Sequence, residues 1–510
     1  MQSRLTMTAR NAFWSYFSML VSMAIQFVSR TVFIHYLGKD YLGINGLFSS
    51  ILGVLSFAEL GIGTAMNFSL YKPVAEGNTE KIKSYMYCYK WAYRAIAGII
   101  TVMGLSLLPF LKYLVKDPGN VGDIRIYYLV FLFNTVTSYF VSYKFSLVNA
   151  EQKNYIYTNV NLLISLSTTL VQILTLFIWH NYLAYLLVAA AFGLAQKVFI
   201  SAYLNHLHPY LKDKNVKKLE KAEGRQLVTK VKALVLHKLG DICVHQTDNI
   251  IVSAFLSIGT VGLLSNYNLI INTISSCINI LFHSVTGSLG NLVALEDQEK
   301  QYKVFKTYRF IGFWFYGFTY IALLTLLTPF ITLWIGKKMV LDDFVVALLL
   351  LDYYMIGHRI CLNNFKTVAG VFEQDRFVPI VQAVVNLVAS VVLAKLIGLP
   401  GVFIGTIIQG TIASVAKPII VYKGLFNCSS KYYFIDAAKY GIAVLAAMAL
   451  CWICRMWILQ ELTIAGFILM MVIVTVIPNV LFAVLFHKTP EFAAVVDMVR
   501  RMLKRREQAA

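Results

Sequence analysis

Residues 11–37 read NAFWSYFSMLVSMAIQFVSRTVFIHYL, and this run decides the fold class. Its single charged residue is Arg30. The run exceeds the roughly 20 residues that carry a helix across a ~30 Å hydrocarbon core. It also outruns the apolar core of a signal peptide and lacks a small-residue cleavage site, so it reads as a retained first membrane span. Its polar residues are ordered. Asn11, Ser15, Ser18, Ser22, Gln26 and Ser29 recur at steps of three and four, which places them on one helical face. Arg30 stands beside the end of that stripe, roughly 12 Å from the turn that follows, at 1.5 Å rise per residue.

Runs of the same kind recur along the chain. A length of 510 residues suggests several soluble domains, but a composition of 58% hydrophobic and 14% charged residues leaves too few charges to coat them. Lipid cannot satisfy free backbone groups, so spanning segments are helices or closed barrels, and continuous rather than alternating apolar runs select helices. The expected fold is an all-α membrane protein of about fourteen transmembrane helices. They are placed at 11–37, 41–70, 91–114, 124–148, 156–179, 182–205, 231–257, 261–290, 308–335, 343–365, 378–398, 401–423, 437–458 and 463–486. Short turns at 38–40 and 258–260 make each flanking pair an antiparallel hairpin.

The formal charge of +20 in a soluble protein would point to nucleic acid. In a membrane protein it follows from Lys and Arg concentrated in cytoplasmic loops, so no nucleic-acid partner is expected. With the N-terminus placed in the cytoplasm, most of the 45 Lys and Arg fall in or beside cytoplasmic segments. Those at outer ends are Lys39, Lys112, Lys116, Arg125, Lys337, Lys338, Lys395 and Arg455; those deeper in spans are Arg30, Lys197, Lys238 and Arg359. Both termini are therefore expected in the cytoplasm. The basic loop 206–230 separates an N-terminal six-helix lobe (1–205) from a second (231–424). Two further helices (425–487) and a basic tail (488–510) follow. The seven cysteines form no framework; Cys451 and Cys454 make a CxxC inside an apolar helix, with no His or second pair to complete a metal or redox site. No metal and no cofactor are expected.

A shift of 219 residues exposes an internal repeat. Leu37, Gly43, Val74, Ala75, Glu80, Lys81 and Tyr89 fall on Leu256, Gly262, Val293, Ala294, Glu299, Lys300 and Tyr308. The stretches PVAEGNTEK (73–81) and LVALEDQEK (292–300) align, as do the two short turns. Six spans separate the copies, so both have one orientation. Parallel repeats of this kind place a substrate path at the interface of two lobes that rock to give alternating access.

Under the same shift Ser22, Gln26 and Ser29 fall on Asp241, His245 and Asp248 of the seventh span, where Lys238 joins the same face. The second span carries Asn45, Ser49, Ser56 and Glu59. The eighth carries Ser265, Asn268, Asn272, Ser275, Asn279 and His283, and the tenth Asp352, His358 and Arg359. Single Ser or Asn residues in membrane helices usually serve as packing glue. Stripes at repeat-equivalent positions instead read as the lining of a hydrated cavity. A mid-membrane charge costs at least ~2.5–3.5 kcal/mol unless paired or wet. Arg30 is thus either an anion-binding residue or half of an ion pair with an acid on another helix. Glu59 and Arg94 either neutralise each other or act in substrate binding or gating. Asp241, His245 and Asp248 either carry a coupling proton or, with Lys238 bound to Asp241, form a salt bridge.

The stretch RTVFIHYLGKDYLGINGLF (30–48), continuing to AELGIG (58–63) and YKP (71–73), resembles the start of bacterial polysaccharide transporters. These are the O-antigen and capsule flippases of the multidrug/oligosaccharidyl-lipid/polysaccharide exporter superfamily. The motif resemblance covers residues 1–95; beyond it the likeness lies in topology and repeat. It implies a V-shaped pair of six-helix bundles with two appended helices, in a bacterial inner membrane. It also implies a substrate made of an undecaprenyl-diphosphate-linked oligosaccharide bound for lipopolysaccharide or capsule, moved to the outer leaflet with H+ or Na+ as coupling ion, and a glycan polymerase as partner. On that resemblance Ser22, Gln26, Ser29, Glu59, Asn268 and Asn272 suit sugar hydroxyls, and Arg30 and Arg359 suit the diphosphate. Two other transport readings compete: a cation-coupled drug antiporter using Asp241 or Glu59, and a lipid-II-type flippase. A membrane enzyme is disfavoured, since there is no large soluble domain or long outer loop to hold its chemistry.

Overall fold

The computed structural model describes residues 4–59, 62–213, 246–371 and 374–507, with isolated positions between 216 and 231. Among these the regular structure is entirely helical. Twelve helices are long and apolar enough to cross a membrane, which makes the chain a multi-pass membrane protein. Two features separate that number from the fourteen expected. The first two spans are arms of one helix, α1 (Arg4–Leu55), which bends at Gly38 with φ 79° and ψ −173°. Only glycine adopts that backbone without strain, so the expected three-residue turn contracts to one residue. The seventh expected span lies largely outside the described residues; what is described of it is α8, residues 246–255.

Two expected spans are each divided. The second arm of α1 gives way to a 3-10 turn, Ser56–Glu59, before α2 (Ile62–Ala75). The tenth becomes α12 (Asp343–His358) and α13 (Ile360–Val368), joined at Arg359. Elsewhere the helix starts follow local capping chemistry. The side chains of Asn78, Asp123, Asn181, Asp297, Asp342 and Thr463 each accept from a backbone N–H of the first turn.

The chain forms two compact units, Met1–Leu263 and Leu264–Ala510. In the first, α5 (Ile124–Ala150) is the central helix. It packs on α1 and α2, on α3 (Thr79–Leu107), and on α6 (Asn154–Trp179) and α7 (Tyr182–Leu207); the short α4 (Leu111–Leu114) follows α3. Fully buried Tyr128 on α5 donates to the Gly104 carbonyl of α3 at 3.1 Å.

In this unit the backbone of α1 closely approaches the start of α9 (Ile258–Ser284). A Cβ on Gly43 would overlap the carbonyl of Ile258, and a Cβ on Gly262 would overlap the carbonyl of Lys39. Gly43 and Gly262 are 219 residues apart, as are Lys39 and Ile258, so the crossing is reciprocal: each copy's glycine receives the other copy's carbonyl. The repeat read from the sequence meets itself at that point.

In the second unit α11 (Gln298–Ile335) is the hub. Against it pack α10 (Thr286–Leu295), α12, α13, α16 (Lys431–Ile458), α17 (Ile464–Phe486) and α18 (Pro490–Glu507). Phe305, Phe310, Phe313, Phe365 and Phe482 fill its core. The Trp314 indole donates to Asn479 of α17 at 2.7 Å. Helices α14 (Val378–Ile397) and α15 (Leu399–Gly424) form a hairpin closed at Gly398, with glycines and buried polar groups as glue. A Cβ on Gly401 would strike the Leu393 carbonyl, while Gln382 donates to Gln409 at 2.6 Å and Ser390 to the Val402 carbonyl at 3.0 Å.

Candidate functional site

On α1, Ser22, Ser29 and Arg30 are half-buried and Gln26 is exposed. Tyr185, one turn into α7, faces Ser29 and Arg30. It is held there by edge contact with Phe33 at 5.2 Å and by stacking on Tyr182 at 6.3 Å. Arg30 Nη1 is buried and has no hydrogen-bond partner among the described residues. The second arm of α1 is tied into the bundle: Asn45 accepts from the Tyr182 hydroxyl at 3.0 Å, and Ser50 accepts from Asn249 at 3.0 Å. Glu59 accepts from the Tyr93 hydroxyl at 2.7 Å. Arg94, one residue on, is exposed and stacks on Trp91 at 5.0 Å, and no ion pair joins it to Glu59 among the described residues. Successive residues on a helix point ~100° apart, so Tyr93 and Arg94 serve different surfaces. Asp248 is half-buried on α8. Lys238, Asp241 and His245 lie outside the described residues.

In the second unit Asn268 is half-buried and Asn272 exposed on α9, while Asn279 accepts from Tyr316 at 2.9 Å. Arg359 is 6% exposed and donates through Nε to the Met355 carbonyl and through Nη1 to the Gly410 carbonyl, each at 3.0 Å. Its guanidinium thus clips α15 to the break between α12 and α13. The neighbouring His358 ring meets the Tyr433 hydroxyl at 3.0 Å.

A polar cleft in the first unit escapes a reading of the sequence alone. It encloses about 620 Å³ between α5, α6 and α7. Asn134, Ser138 and Ser142 line it from α5, Asn161, Ser165, Thr168 and Gln172 from α6, and Gln196 and Lys197 from α7. The Lys197 ammonium donates to the Asn134 carbonyl and side chain, at 2.7 and 2.6 Å, and to Thr137 at 2.9 Å. Gln196 donates to Asn161 at 3.0 Å. The α5 and α6 walls repeat the steps of three and four seen in the first span, which is the signal that could have revealed it. Among the described residues no carboxylate lines the cleft. Its surface of hydroxyls, amides and one cation offers many hydrogen bonds to a polyhydroxyl molecule and no counter-charge to an organic cation.

Residues 8–286 match the polysaccharide biosynthesis protein family. No curated protein matches. Among solved structures, the lipid II flippase MurJ in an inward closed conformation superposes with a TM-score of 0.66 at 12% identity, over 93% of this chain and 98% of that one. An inward-facing multidrug resistance MATE family transporter of the MOP superfamily gives 0.59 at 16% identity, over 78% and 92%. A mutant of the MATE transporter VcmN from Vibrio cholerae gives 0.58 at 14% identity, over 84% and 99%. At these identities the likeness is one of fold.

Proposed function

This chain belongs to the polysaccharide biosynthesis protein family, and from that premise we propose that it is a flippase for an undecaprenyl-diphosphate-linked oligosaccharide. The observation that carries the proposal is the acid-free polar cleft between α5, α6 and α7. A sugar chain leaving water must replace its hydrogen bonds, and an unmade bond costs about 1–3 kcal/mol each. Twin rows of Asn, Gln, Ser and Thr supply them. A drug antiporter needs a carboxylate against its cationic cargo, and the described lining of the cleft has none.

In the proposed cycle the lipid-linked sugar enters from the cytoplasmic leaflet of a bacterial inner membrane and leaves from the outer one by alternating access, to be joined by a glycan polymerase. Both termini face the cytoplasm. Arg30, with its buried Nη1, receives the diphosphate, since a guanidinium fork matches phosphate oxygens. Asp241, His245 and Asp248 carry the coupling ion, and Lys238 beside them acts in gating.

The test is complementation of a deletion strain. The strain is expected to retain lipid-linked repeat units on the cytoplasmic leaflet, and the wild-type gene to clear them. Asn161→Ala removes one hydrogen-bonding wall group; at about 0.5–1.5 kcal/mol per bond the export rate falls up to about tenfold. Arg30→Ala partly restores the deletion phenotype, and Arg30→Lys stays between the two, keeping the charge but not the fork. Normal surface polysaccharide in the deletion strain, with altered dye efflux, rejects the proposal.

A further inference from the structure

Five cations converge on a cavity of about 580 Å³ at one end of the first unit, away from the cleft between α5, α6 and α7. Lys83, Lys90 and Arg94 reach it from a single face of α3, at steps of seven and four. Lys144 reaches it from α5 and Lys212 from the short turn Pro209–Lys212 after α7. Among the described residues the one acid in the lining is Asp213. It is already engaged by Lys83 at 3.0 Å, and Lys83 holds Glu80 at 2.5 Å as well.

The remaining four cations have no such partner. Lys144 is 5% exposed, yet its ammonium is held only by neutral groups: Ser201 Oγ at 2.8 Å, the Ser201 carbonyl at 3.3 Å and Asn205 Oδ1 at 2.8 Å. Lys90, Arg94 and Lys212 make no ion pair within 4.0 Å among the described residues, and none of the undescribed positions between 213 and 231 is acidic. Bringing four like charges to one cavity is costly unless an anion completes it. The cavity also lies close to a helix end. Lys144 is six residues from the end of α5 at Ala150, about 9 Å along the helix axis. Tyr87, Trp91 and Phe140, each more than 40% exposed, lie beside it on α3 and α5. Such rings sit where a membrane meets water.

We propose that this pocket binds the phosphate groups of a membrane lipid, with the cations on the phosphate oxygens and the aromatic rim against the chain. Phosphate carried by a prenyl diphosphate and phosphate carried by an anionic phospholipid share that chemistry. The site is independent of the transport reading, because it uses neither the cleft nor Arg30.

The test is native mass spectrometry of the full chain in neutral detergent, titrated with farnesyl diphosphate, phosphatidylglycerol, inorganic diphosphate and diacylglycerol. The variant combines Lys90→Gln, Arg94→Gln and Lys212→Gln, with Lys72→Gln at an exposed position as control; Lys212→Gln alone serves if the triple variant does not elute as a single species. The triple variant is expected to bind farnesyl diphosphate at least tenfold more weakly, and the control to match wild type. Parallel loss for phosphatidylglycerol assigns the pocket to phospholipid as well; loss confined to farnesyl diphosphate assigns it to prenyl diphosphates. Unchanged binding of both lipids in the variant overturns the proposal. So does inorganic diphosphate or diacylglycerol binding as tightly as the phosphate lipids.

Discussion

Gly43→Val and Gly262→Val are expected each to yield little or no assembled protein, measured as the monodisperse fraction on size exclusion in mild detergent. The reason is geometric. At each glycine a Cβ would overlap a backbone carbonyl, that of Ile258 or of Lys39, and a backbone atom cannot swing aside as a side chain can. Overpacking of a close contact typically costs about 1–3 kcal/mol, and here a branched side chain must force the crossing helix backbones apart. Because the crossing is reciprocal, the two substitutions should have similar effects, and the double variant should be little worse than either. Gly98→Val is the control, since nothing lies within 4 Å of its Cβ position. Wild-type yields from both crossing variants would show that the helices do not meet as described.

A comparable loss is expected from Arg309→Ala. This residue, 3% exposed in the heart of α11, stacks on the Tyr433 ring at 3.6 Å and donates to the Tyr433 carbonyl at 2.7 Å. Asp436 lies 3.8 Å away. One side chain thus docks the start of α16 on the second unit's hub. Alanine leaves a cavity, removes the ring stacking and the added bond to the Tyr433 carbonyl, and leaves Asp436 with Lys439 alone, at 3.9 Å; truncating a large buried side chain to alanine typically costs about 2–5 kcal/mol. Lysine should not rescue it, because stacking needs the planar guanidinium. The readout is the fraction of folded protein surviving a thermal challenge in detergent. A variant as heat-resistant as wild type would show that α16 is docked by its apolar contacts alone.

How much of this was legible in the sequence varies with the range of the interaction. Span positions follow from composition along a continuous run, and the repeat from residues at one fixed offset, including Gly43 and Gly262. Fourteen spans were expected on that basis; among the described residues twelve helices are of membrane-spanning length, the first two expected spans running on as α1 and the seventh lying largely outside those residues. The division at Arg359 was not, because what stabilises it is a pair of backbone carbonyls, of Met355 and Gly410, that carry no residue signature. For the same reason Arg359 read as a diphosphate ligand rather than as a helix clip. Glu59 read either as a partner for Arg94 or as a substrate or gating group; of the ion pair there is no sign among the described residues, and the Tyr93 hydroxyl, one residue before Arg94, bonds the carboxylate instead. The cleft was least visible. Asn134, Asn161 and Lys197 come from three helices far apart in sequence, each looks like ordinary packing glue alone, and only their convergence makes a surface.

The central claim is that the cargo is a lipid-linked sugar rather than an organic cation. Reconstitution of the purified chain into vesicles carrying an undecaprenyl-diphosphate-linked oligosaccharide tests it most directly, with a membrane-impermeant glycosidase outside as the reporter of flipped lipid. The expected result is cleavage of the pool initially on the inner leaflet, slowed by Arg30→Ala and Asn161→Ala and unaffected by rhodamine-type dyes. Protection of the inner pool, together with ion-gradient-driven dye movement in the same vesicles, would contradict it.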